Sequence, residues 1–197
     1  MTVPALTSAQ RKQRALVASW ARERVSNPAT VFLDTETTGL GPTAEIIDLA
    51  VVDLHGNVLI DTLIAPVSPI PPETTRVHGL VDADVVGAPA WLDVYPVLAL
   101  LLRERPVVVY NADFDRRMVG YCCAAHGFVG EDGDWHCAMH QYAAWAGVQS
   151  SHKHARYRLH KLGDALASFD LPPGNHRALG DAMACRSLVL ALADSAF

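Results

Sequence analysis

The sequence predicts an α/β domain built on a mixed β-sheet. Three apolar, β-rich runs come early in the chain, and helical and strand patterns alternate after them. Half of the 197 residues are hydrophobic and 19% are charged, which is typical of a compact domain of this class. The formal net charge is -5, so binding to a polyanion must rely on a local basic patch or on bound metal.

An amphipathic helix is predicted near the N-terminus. Residues 8–25 repeat apolar side chains at helical spacing, opposite a face rich in Arg and Gln, and Thr7 or Ser8 is suited to cap the first turn. We interpret this helix as packed on the outside of the domain, with a partner-docking helix as the alternative. An Asn-Pro pair follows it, so the predicted division is an N-terminal helix over residues 1–28 and a main domain over residues 29–197.

The main domain is predicted to begin with three strands and then to alternate helices with strands. The strands are expected at residues 30–34, 46–54 and 58–65, with a hairpin turn at His55-Gly56-Asn57. A proline-rich connector follows at residues 66–72. The later elements are expected to be, in order, a helix at 91–103, a strand at 106–110, and helices at 113–126, 159–169 and 178–193.

The first of three chemically informative motifs lies at the end of the first strand, in Asp34-Thr35-Glu36-Thr37-Thr38-Gly39. Side chains two apart in a strand share one face, so Asp34 and Glu36 are expected to point the same way. Two adjacent carboxylates repel unless a cation lies between them, although half-exposed strand ends are often acidic without one. Gly39 permits a close backbone approach, and the amides beside it are suited to meet a phosphate or a terminal sugar.

The second and third motifs lie close to the starts of predicted helices. Asn111-Ala112-Asp113-Phe114-Asp115 follows an apolar strand, where acids are also preferred as capping and first-turn residues. We favour that role for Asp113, and Asn111 is either a turn residue or an orienting hydrogen-bonding group. His176 and Asp181 are five apart and would diverge on one continuous helix. We therefore expect His176 in a loop and Asp181 in the first turns of the next helix, where both can approach one site.

These residue types together predict metal-dependent phosphodiester hydrolysis. Carboxylate oxygens are the ligands that hard divalent cations prefer. A histidine beside them is suited to deprotonate water. The cysteines and histidines between residues 122 and 140 lack the paired Cys-x2-Cys spacing of a zinc knuckle, so we expect buried thiols there rather than a zinc site.

The three motifs and their spacing resemble Exo I, Exo II and Exo III of the DEDDh 3′–5′ exonucleases, a family that includes the proofreading subunit of bacterial DNA polymerase III. The resemblance covers roughly residues 30–195. It implies a ribonuclease-H-like fold, with a mixed five-stranded sheet flanked by helices. Tyr110 is a departure, because many relatives have His at that position, but it is not a metal ligand in the family.

The resemblance also implies roles for five residues. Asp34, Glu36 and Asp181 would hold the metal that activates water, and Asp34 and Asp115 would reach a second metal, so that two Mg²⁺ or Mn²⁺ are implied. His176 would accept the proton of the attacking water. The implied products are a nucleoside 5′-monophosphate and a chain shortened at its 3′ end.

Other residues are expected to contact the substrate. Val77-His78-Gly79-Leu80 matches an element that helps to hold the terminal nucleotide in relatives. Leu40 and Phe114 are either walls for the terminal base or ordinary packing residues. The basic stretch at residues 153–161, which includes Tyr157, is either a backbone-binding segment or a solvated loop. The predicted substrate-binding residues are Thr35, Thr37, Leu40, His78, Asn111, Phe114, Arg156 and Arg158.

The expected setting is the cytoplasm, because the N-terminus lacks a secretory pattern and the four cysteines are too few for a disulfide framework. The expected partner is nucleic acid with a free 3′ end. Single-stranded DNA is favoured, since the Thr37-Thr38-Gly39 version of the first motif is more common in proofreading-type members. Trimming of RNA 3′ ends is the alternative. A DNA polymerase partner, a homodimer, and a non-catalytic binding or adaptor module of the same fold are further hypotheses.

Overall fold

A five-stranded mixed sheet forms the centre of the computed structural model, which describes residues 6–130, 133–153 and 155–195. The strand order is β3-β2-β1-β4-β5, with antiparallel pairing among the first three strands and parallel pairing of β4 to both β1 and β5. The predicted α/β class and the five-stranded ribonuclease-H-like sheet are therefore confirmed. The strands are β1 (Val31–Thr37), β2 (Ile46–Asp53), β3 (Val58–Leu63), β4 (Pro106–Val109) and β5 (Asp134–Cys137).

Helices cover both faces of this sheet. They are α1 (Ser8–Ser26), α2 (Pro72–His78), α3 (Trp91–Leu102), α4 (Ala112–Ala125), α5 (Ala138–Ala146), α6 (Leu162–Ala167) and α7 (Ala178–Asp194), with a short 3-10 turn at Asp82–Val85. No helix in these described ranges is long and apolar enough to cross a bilayer. All four cysteines are unpaired thiols.

The alternation of side chains along β1 divides the core into two halves. Phe32 packs with α7 residues such as Leu188, in the half that also includes α1 and α5. Leu33 packs with Leu98 of α3 and Met118 of α4 in the other half. Because the side chains of a strand alternate between its faces, β1 delivers residues 34 and 36 to the α7 side and residue 35 to the α4 side.

Helix α1 packs against the α7 side of the domain. Thr7 caps it in a reciprocal arrangement, in which the Gln10 amide donates to Thr7 Oγ1 and the Thr7 amide donates to Gln10 Oε1. Val17, Ala18 and Ala21 are the buried residues of this helix. The proposed division of the chain after residue 28 stays a prediction, and residues 1–5 and 196–197 of the two predicted units lie outside the described ranges.

One strand and two α-helices were not predicted from the sequence. Strand β5 has only four residues and is not an apolar run, since Trp135 and Cys137 alternate with Asp134 and His136. Helix α5 follows β5 without an intervening loop. Helix α2 starts inside the predicted proline-rich connector, because Pro72 at its first position has the backbone angle that a helix requires.

Strand β1 also runs three residues further than predicted. It ends at Thr37, so Asp34 and Glu36 lie within the strand instead of at and beyond its end. A register shift between Glu36 and Thr37 interrupts the regular pairing with β2, and Thr37 then pairs with Ile46. The extra length fixes both carboxylates by strand hydrogen bonds, which gives them a rigid support.

Candidate active site

Three carboxylates from two elements converge on the α7 side of the sheet. Asp34 and Glu36 come from β1, and Asp181 comes from the first turn of α7. Oxygen atoms of all three lie within 4.8 Å of one another, and each residue is partly buried. Among the described residues this is the group whose side chains are placed to share a metal ion.

A fourth predicted carboxylate reaches the end of β1 from the opposite face. Asp115 lies in the first turn of α4 and is buried, at 3% exposure. Its Oδ1 accepts a 2.7 Å hydrogen bond from the hydroxyl of Thr35. Thr35 was predicted to bind substrate, but the structure places its side chain in the interior, where its hydroxyl holds Asp115. Asp113, two residues earlier, is exposed on the same turn.

The loop before α7 brings the third motif to this site. His176 lies in the loop, is exposed, and has a φ of 55°, in the left-handed region that costs a non-glycine residue conformational energy. The amides of Asn175 and His176 donate to Asp181 Oδ1 at 3.0 and 3.3 Å. Gly174 completes the turn, because a Cβ at this position would overlap the Asp181 carboxylate. The loop and Asp181 therefore fix each other.

A buried acid that sequence reasoning missed anchors the start of α7. Asp48 of β2 pairs with Glu36 in the strand register and is 1% exposed. Its Oδ2 accepts hydrogen bonds from Arg177 Nε at 2.7 Å and from the Ala178 amide at 3.3 Å. Arg177 occupies the N-cap position of α7 but provides no side-chain cap. Asp48 thus caps the helix from a distant strand.

The sequence did contain a signal for this contact. Asp48 is an acid within the otherwise apolar run from Ile46 to Val52, and a buried acid requires a partner. The partner, Arg177, lies 129 residues away, so only the fold identifies it.

The electrostatics of the site are dominated by burial and by mutual repulsion of the acids. Burial, followed by the Asp115, Glu36 and Asp181 carboxylates, raises the pKa of Asp34 well above its usual range. Burial, followed by Asp181 and Asp48, raises the pKa of Glu36 to about 7, against an opposing effect of Arg177. Burial also raises the pKa of Asp115 to about 7, although the Thr35 hydrogen bond acts the other way. The repulsion at Asp34 and Glu36 means that these two acids lack compensating positive charge when ionised.

These carboxylates fit a divalent cation. They provide hard oxygen ligands, lie within reach of a common centre, and are destabilised by their own repulsion when ionised. A bound cation would reverse the last effect, because it supplies the missing positive charge. Asp34, Glu36 and Asp181 are the residues placed to hold it, with Asp115 next to Asp34 on the other side of the strand.

A cavity of about 640 Å³ opens beside the carboxylates. Asp181, His176 and Asn111 contribute to its wall, so the second and third motifs meet in one space. Asn111 is exposed at the N-cap of α4 and makes no side-chain capping bond. The cavity wall also includes Leu159, His160 and Lys161, which end the basic stretch and were not among the predicted site residues.

Two other predicted substrate contacts, Thr37 and His78, are buried and make hydrogen bonds within the protein. The hydroxyl of Thr37 donates to the Gly39 carbonyl at 2.7 Å and so closes the turn after β1. His78 is buried at the end of α2, and its Nδ1 accepts the Leu80 amide at 3.1 Å. Burial lowers the pKa of His78, which favours the neutral ring.

The two predicted base walls differ in their surroundings. Leu40 is 78% exposed in the turn after β1 and is free to meet a ligand. Phe114 is half-buried against the α4 side of the core, with the Arg117 guanidinium 6.0 Å from its ring. Packing therefore accounts for Phe114 without a ligand, whereas it does not account for Leu40.

Neither of the two predicted arginines is among the residues that line the active-site cavity. Arg156 lines a separate cavity with residues of α1 and α5, and Arg158 is exposed in the segment that leads back to the active-site cavity. His154 of the same basic stretch lies outside the described residues. Leu159, His160 and Lys161 at the end of this stretch are the part that touches the active-site cavity.

Comparisons with known proteins bear directly on this site. A family model described as an exonuclease, of the RNase T type, matches residues 31–189. The chain belongs to the DEDDh exonuclease family. Members of this family are metal-dependent hydrolases that act on nucleic acid, and the matched range spans all three motifs.

Individual relatives of this exonuclease agree with the family. An exonuclease of Escherichia phage 186 is 38% identical over 172 residues, which is 83% of this chain and 87% of the phage protein. Exodeoxyribonuclease 10 of Escherichia coli K12 is 29% identical over 165 residues, or 81% of this chain and 66% of that enzyme. The solved structure of Exonuclease X with 5′ overhanging duplex DNA matches with a TM-score of 0.60 and 27% identity, over 83% of this chain and 90% of that one.

Removing the Asp48 carboxylate is expected to release the start of α7. In Asp48→Ala the Arg177 side chain and the Ala178 amide lose their buried acceptor, so we expect a loss of about 1–3 kcal/mol in the free energy of unfolding. Nuclease activity should fall further than the folded fraction, because Asp181 and His176 lose their anchor. Urea unfolding and activity at a fixed folded concentration measure the two effects. Asp61→Ala on the neighbouring strand is the control, and equal losses in both variants would contradict the anchoring role.

A methyl group at residue 174 is expected to displace the Asp181 carboxylate. Gly174→Ala should therefore raise the Mg²⁺ or Mn²⁺ concentration needed for half-maximal activity and lower activity by about 100-fold, the cost of misplacing a catalytic group by about 1 Å. Gly163→Ala is the matched control, because Gly163 lines the same cavity and an added Cβ there meets no atom within 4 Å. A wild-type metal requirement in Gly174→Ala would contradict this geometry.

Stability without metal is expected to fall as the pH rises. The folded state holds protons on Glu36 and Asp115 up to a pKa of about 7, whereas the unfolded chain releases them near 4.5 and 3.8. The native state therefore binds more protons between these values, and the free energy of unfolding decreases with pH through that window. Unfolding in EDTA should show this slope, and saturating Mg²⁺ should remove much of it. Glu36→Gln should reduce the slope, and a slope unchanged in that variant would argue against the assignment.

Proposed function

We propose that the protein is a 3′–5′ exonuclease that removes nucleoside 5′-monophosphates from the end of a nucleic-acid strand. The observation that carries this proposal is the cluster of the Asp34, Glu36 and Asp181 carboxylates, of which Asp181 shares a cavity wall with His176. The family match supports hydrolysis of nucleic acid. The second and third motifs meet at that cavity and Asp181 also joins the first motif's carboxylates, which supports an intact catalytic site.

The metal requirement follows from the ligand set. Asp34, Glu36 and Asp181 would hold one Mg²⁺ or Mn²⁺, and Asp34 with Asp115 would hold a second. Such a pair, when bound, supplies positive charge that stabilises the attacking and leaving oxygens of an in-line displacement. The Thr35 hydroxyl keeps Asp115 in one orientation, and the amides of Asn175 and His176 do the same for Asp181.

His176 is proposed as the general base. Its exposed position at the cavity wall allows the imidazole to meet a water molecule and to accept a proton from it. The water oxygen would attack the terminal phosphorus as its proton passes to His176, and the 3′ oxygen of the preceding nucleotide would leave. Asn111 in the same wall is placed to orient the substrate.

The proposed substrate is DNA, with a single-stranded 3′ end favoured. The Thr37-Thr38-Gly39 sequence supports DNA, and so do two of the relatives, one named as an exodeoxyribonuclease and one bound to duplex DNA. Leu40 and His78 are proposed to contact the terminal nucleotide, from the exposed turn after β1 and from the end of α2. RNA trimmed at its 3′ end is the competing substrate. A cytoplasmic setting, a homodimer and a polymerase partner are further proposals.

The decisive experiment follows a 5′-labelled 16-nucleotide DNA and its RNA equivalent on a denaturing gel with Mg²⁺, Mn²⁺ or EDTA. We expect a metal-dependent ladder that shortens from the 3′ end, with DNA degraded faster. His176→Asn should lower the rate by about 10²–10⁴-fold, because it removes a general base while asparagine tolerates the left-handed backbone. Thermal unfolding of the variant checks that its fold is retained.

The outcomes separate the competing functions. No shortening of either strand with either metal would support a non-catalytic binding module. Faster loss of the RNA would reverse the substrate preference and leave the mechanism intact. Wild-type rates in His176→Asn would remove the histidine as general base.

A further inference from the structure

A second cavity lies next to the active site, between α1 and the basic stretch that precedes α6. It has a volume of about 270 Å³. Gln10 and Gln13 of α1, Gln149, and the adjacent Arg156 and Tyr157 contribute to its wall. The mechanism proposed above makes no use of this cavity, and no acidic residue is among the described residues that line it.

The segment beside this cavity is basic, whereas the rest of the chain is acidic. Residues 149–161 carry four basic residues and no acidic one, whereas the other 184 residues carry 12 basic and 21 acidic ones. Lys12 of α1 is exposed beside the cavity residues Ala9 and Gln13, and adds a fifth positive charge. A phosphate backbone is therefore attracted here, although the protein as a whole is negative.

Backbone hydrogen bonds hold the basic stretch in place. Gln149 and Tyr157 form an isolated β-bridge. The Arg158 amide donates to the Val148 carbonyl at 2.9 Å, and the Ser150 amide donates to the Arg156 carbonyl at 3.2 Å. Arg156 is thereby presented at the cavity by a paired backbone, with its guanidinium 5.1 Å from the Tyr157 ring.

The same stretch connects the second cavity to the active site. Tyr157 lines the second cavity, and Leu159, His160 and Lys161 line the active-site cavity. Four residue steps of extended chain span at most about 13–14 Å, which is a distance that a few nucleotides can cover. The Tyr110 hydroxyl fixes this path by donating to the His160 carbonyl at 2.8 Å.

We propose that the strand upstream of the 3′ end leaves the active-site cavity along residues 157–161 and binds in the second cavity, with Arg156 and Lys12 on its phosphates. The proposal rests on the exonuclease function proposed above. Tyr157 offers a base a stacking surface, and the three glutamines offer amide hydrogen bonds without sequence preference. The occupant is thus a single-stranded segment of the substrate itself.

The test measures how affinity depends on oligonucleotide length. Fluorescein-labelled dT4 and dT16 are titrated with the protein in EDTA, which prevents hydrolysis, and anisotropy gives both affinities over a range of salt concentrations. We expect the ratio of dT16 to dT4 affinity to fall about tenfold in K12Q/R156Q. The slope of log affinity against log salt concentration for dT16 should become shallower by about 1.4, since each phosphate contact on single strands contributes about 0.7 to that slope.

The matched control is R103Q/R105Q, which removes the same charge. These arginines precede β4, whereas Asn111, which lines the active site, follows it, so they lie beyond the opposite end of that strand. The control should keep the wild-type ratio of dT16 to dT4 affinity. Arg156→Lys, which keeps the positive charge, should also keep most of that ratio. If K12Q/R156Q matches the control, or loses affinity equally for dT4 and dT16, the second cavity does not bind the upstream strand.

Failure of this inference is distinguishable from failure of the proposed function. Normal metal-dependent shortening of dT16 together with an unchanged affinity ratio would overturn the second-cavity site alone. Absence of shortening by the wild-type protein would overturn the proposed function, on which the inference depends.

Discussion

The structure depends on one electrostatic constraint, the concentration of carboxylates around the end of β1. Asp34, Glu36 and Asp181 share one side of the strand, Asp115 reaches it from the other, and Asp48 pairs with Glu36 across the sheet. Burial and repulsion raise the pKa of Asp34 and Glu36, burial raises that of Asp115, and Arg177 opposes the shift at Glu36. Such an arrangement is unfavourable for an isolated fold, and a site for cations explains why the chain nevertheless maintains it.

The Asp48–Arg177 contact shows how the fold maintains this arrangement. It connects β2 to the first residues of α7, so the helix that carries Asp181 starts at a fixed point on the sheet. The loop before the helix is then held at both ends, by Asp48 at Ala178 and by Asp181 at Asn175. A left-handed residue at position 176 is tolerated within this closed loop, because its neighbours specify the backbone on both sides.

Local patterns predicted those features of the fold and site that depend on local geometry. The two-residue spacing of Asp34 and Glu36 gave their common face, and the five-residue spacing of His176 and Asp181 gave a loop followed by a helix. Such patterns could not predict features that depend on contacts between residues distant in sequence. The Thr35 hydroxyl bonds to a residue 80 positions away, and nothing near Arg156 in sequence indicates its cavity with α1. Strand β5 escaped prediction because four residues with two polar side chains carry too little periodicity.

The same constraint separates the tasks of catalysis and substrate binding in space. A cavity walled by carboxylates repels a phosphate backbone until cations neutralise it, so the acids that support hydrolysis cannot by themselves attract the substrate. Basic residues placed among those acids would pair with them and compete with the metal. Arg156 avoids that conflict, because it lines the second cavity beside α1 and not the active-site cavity. Attraction of the strand and stabilisation of the reacting phosphate are thus assigned to adjacent but different surfaces.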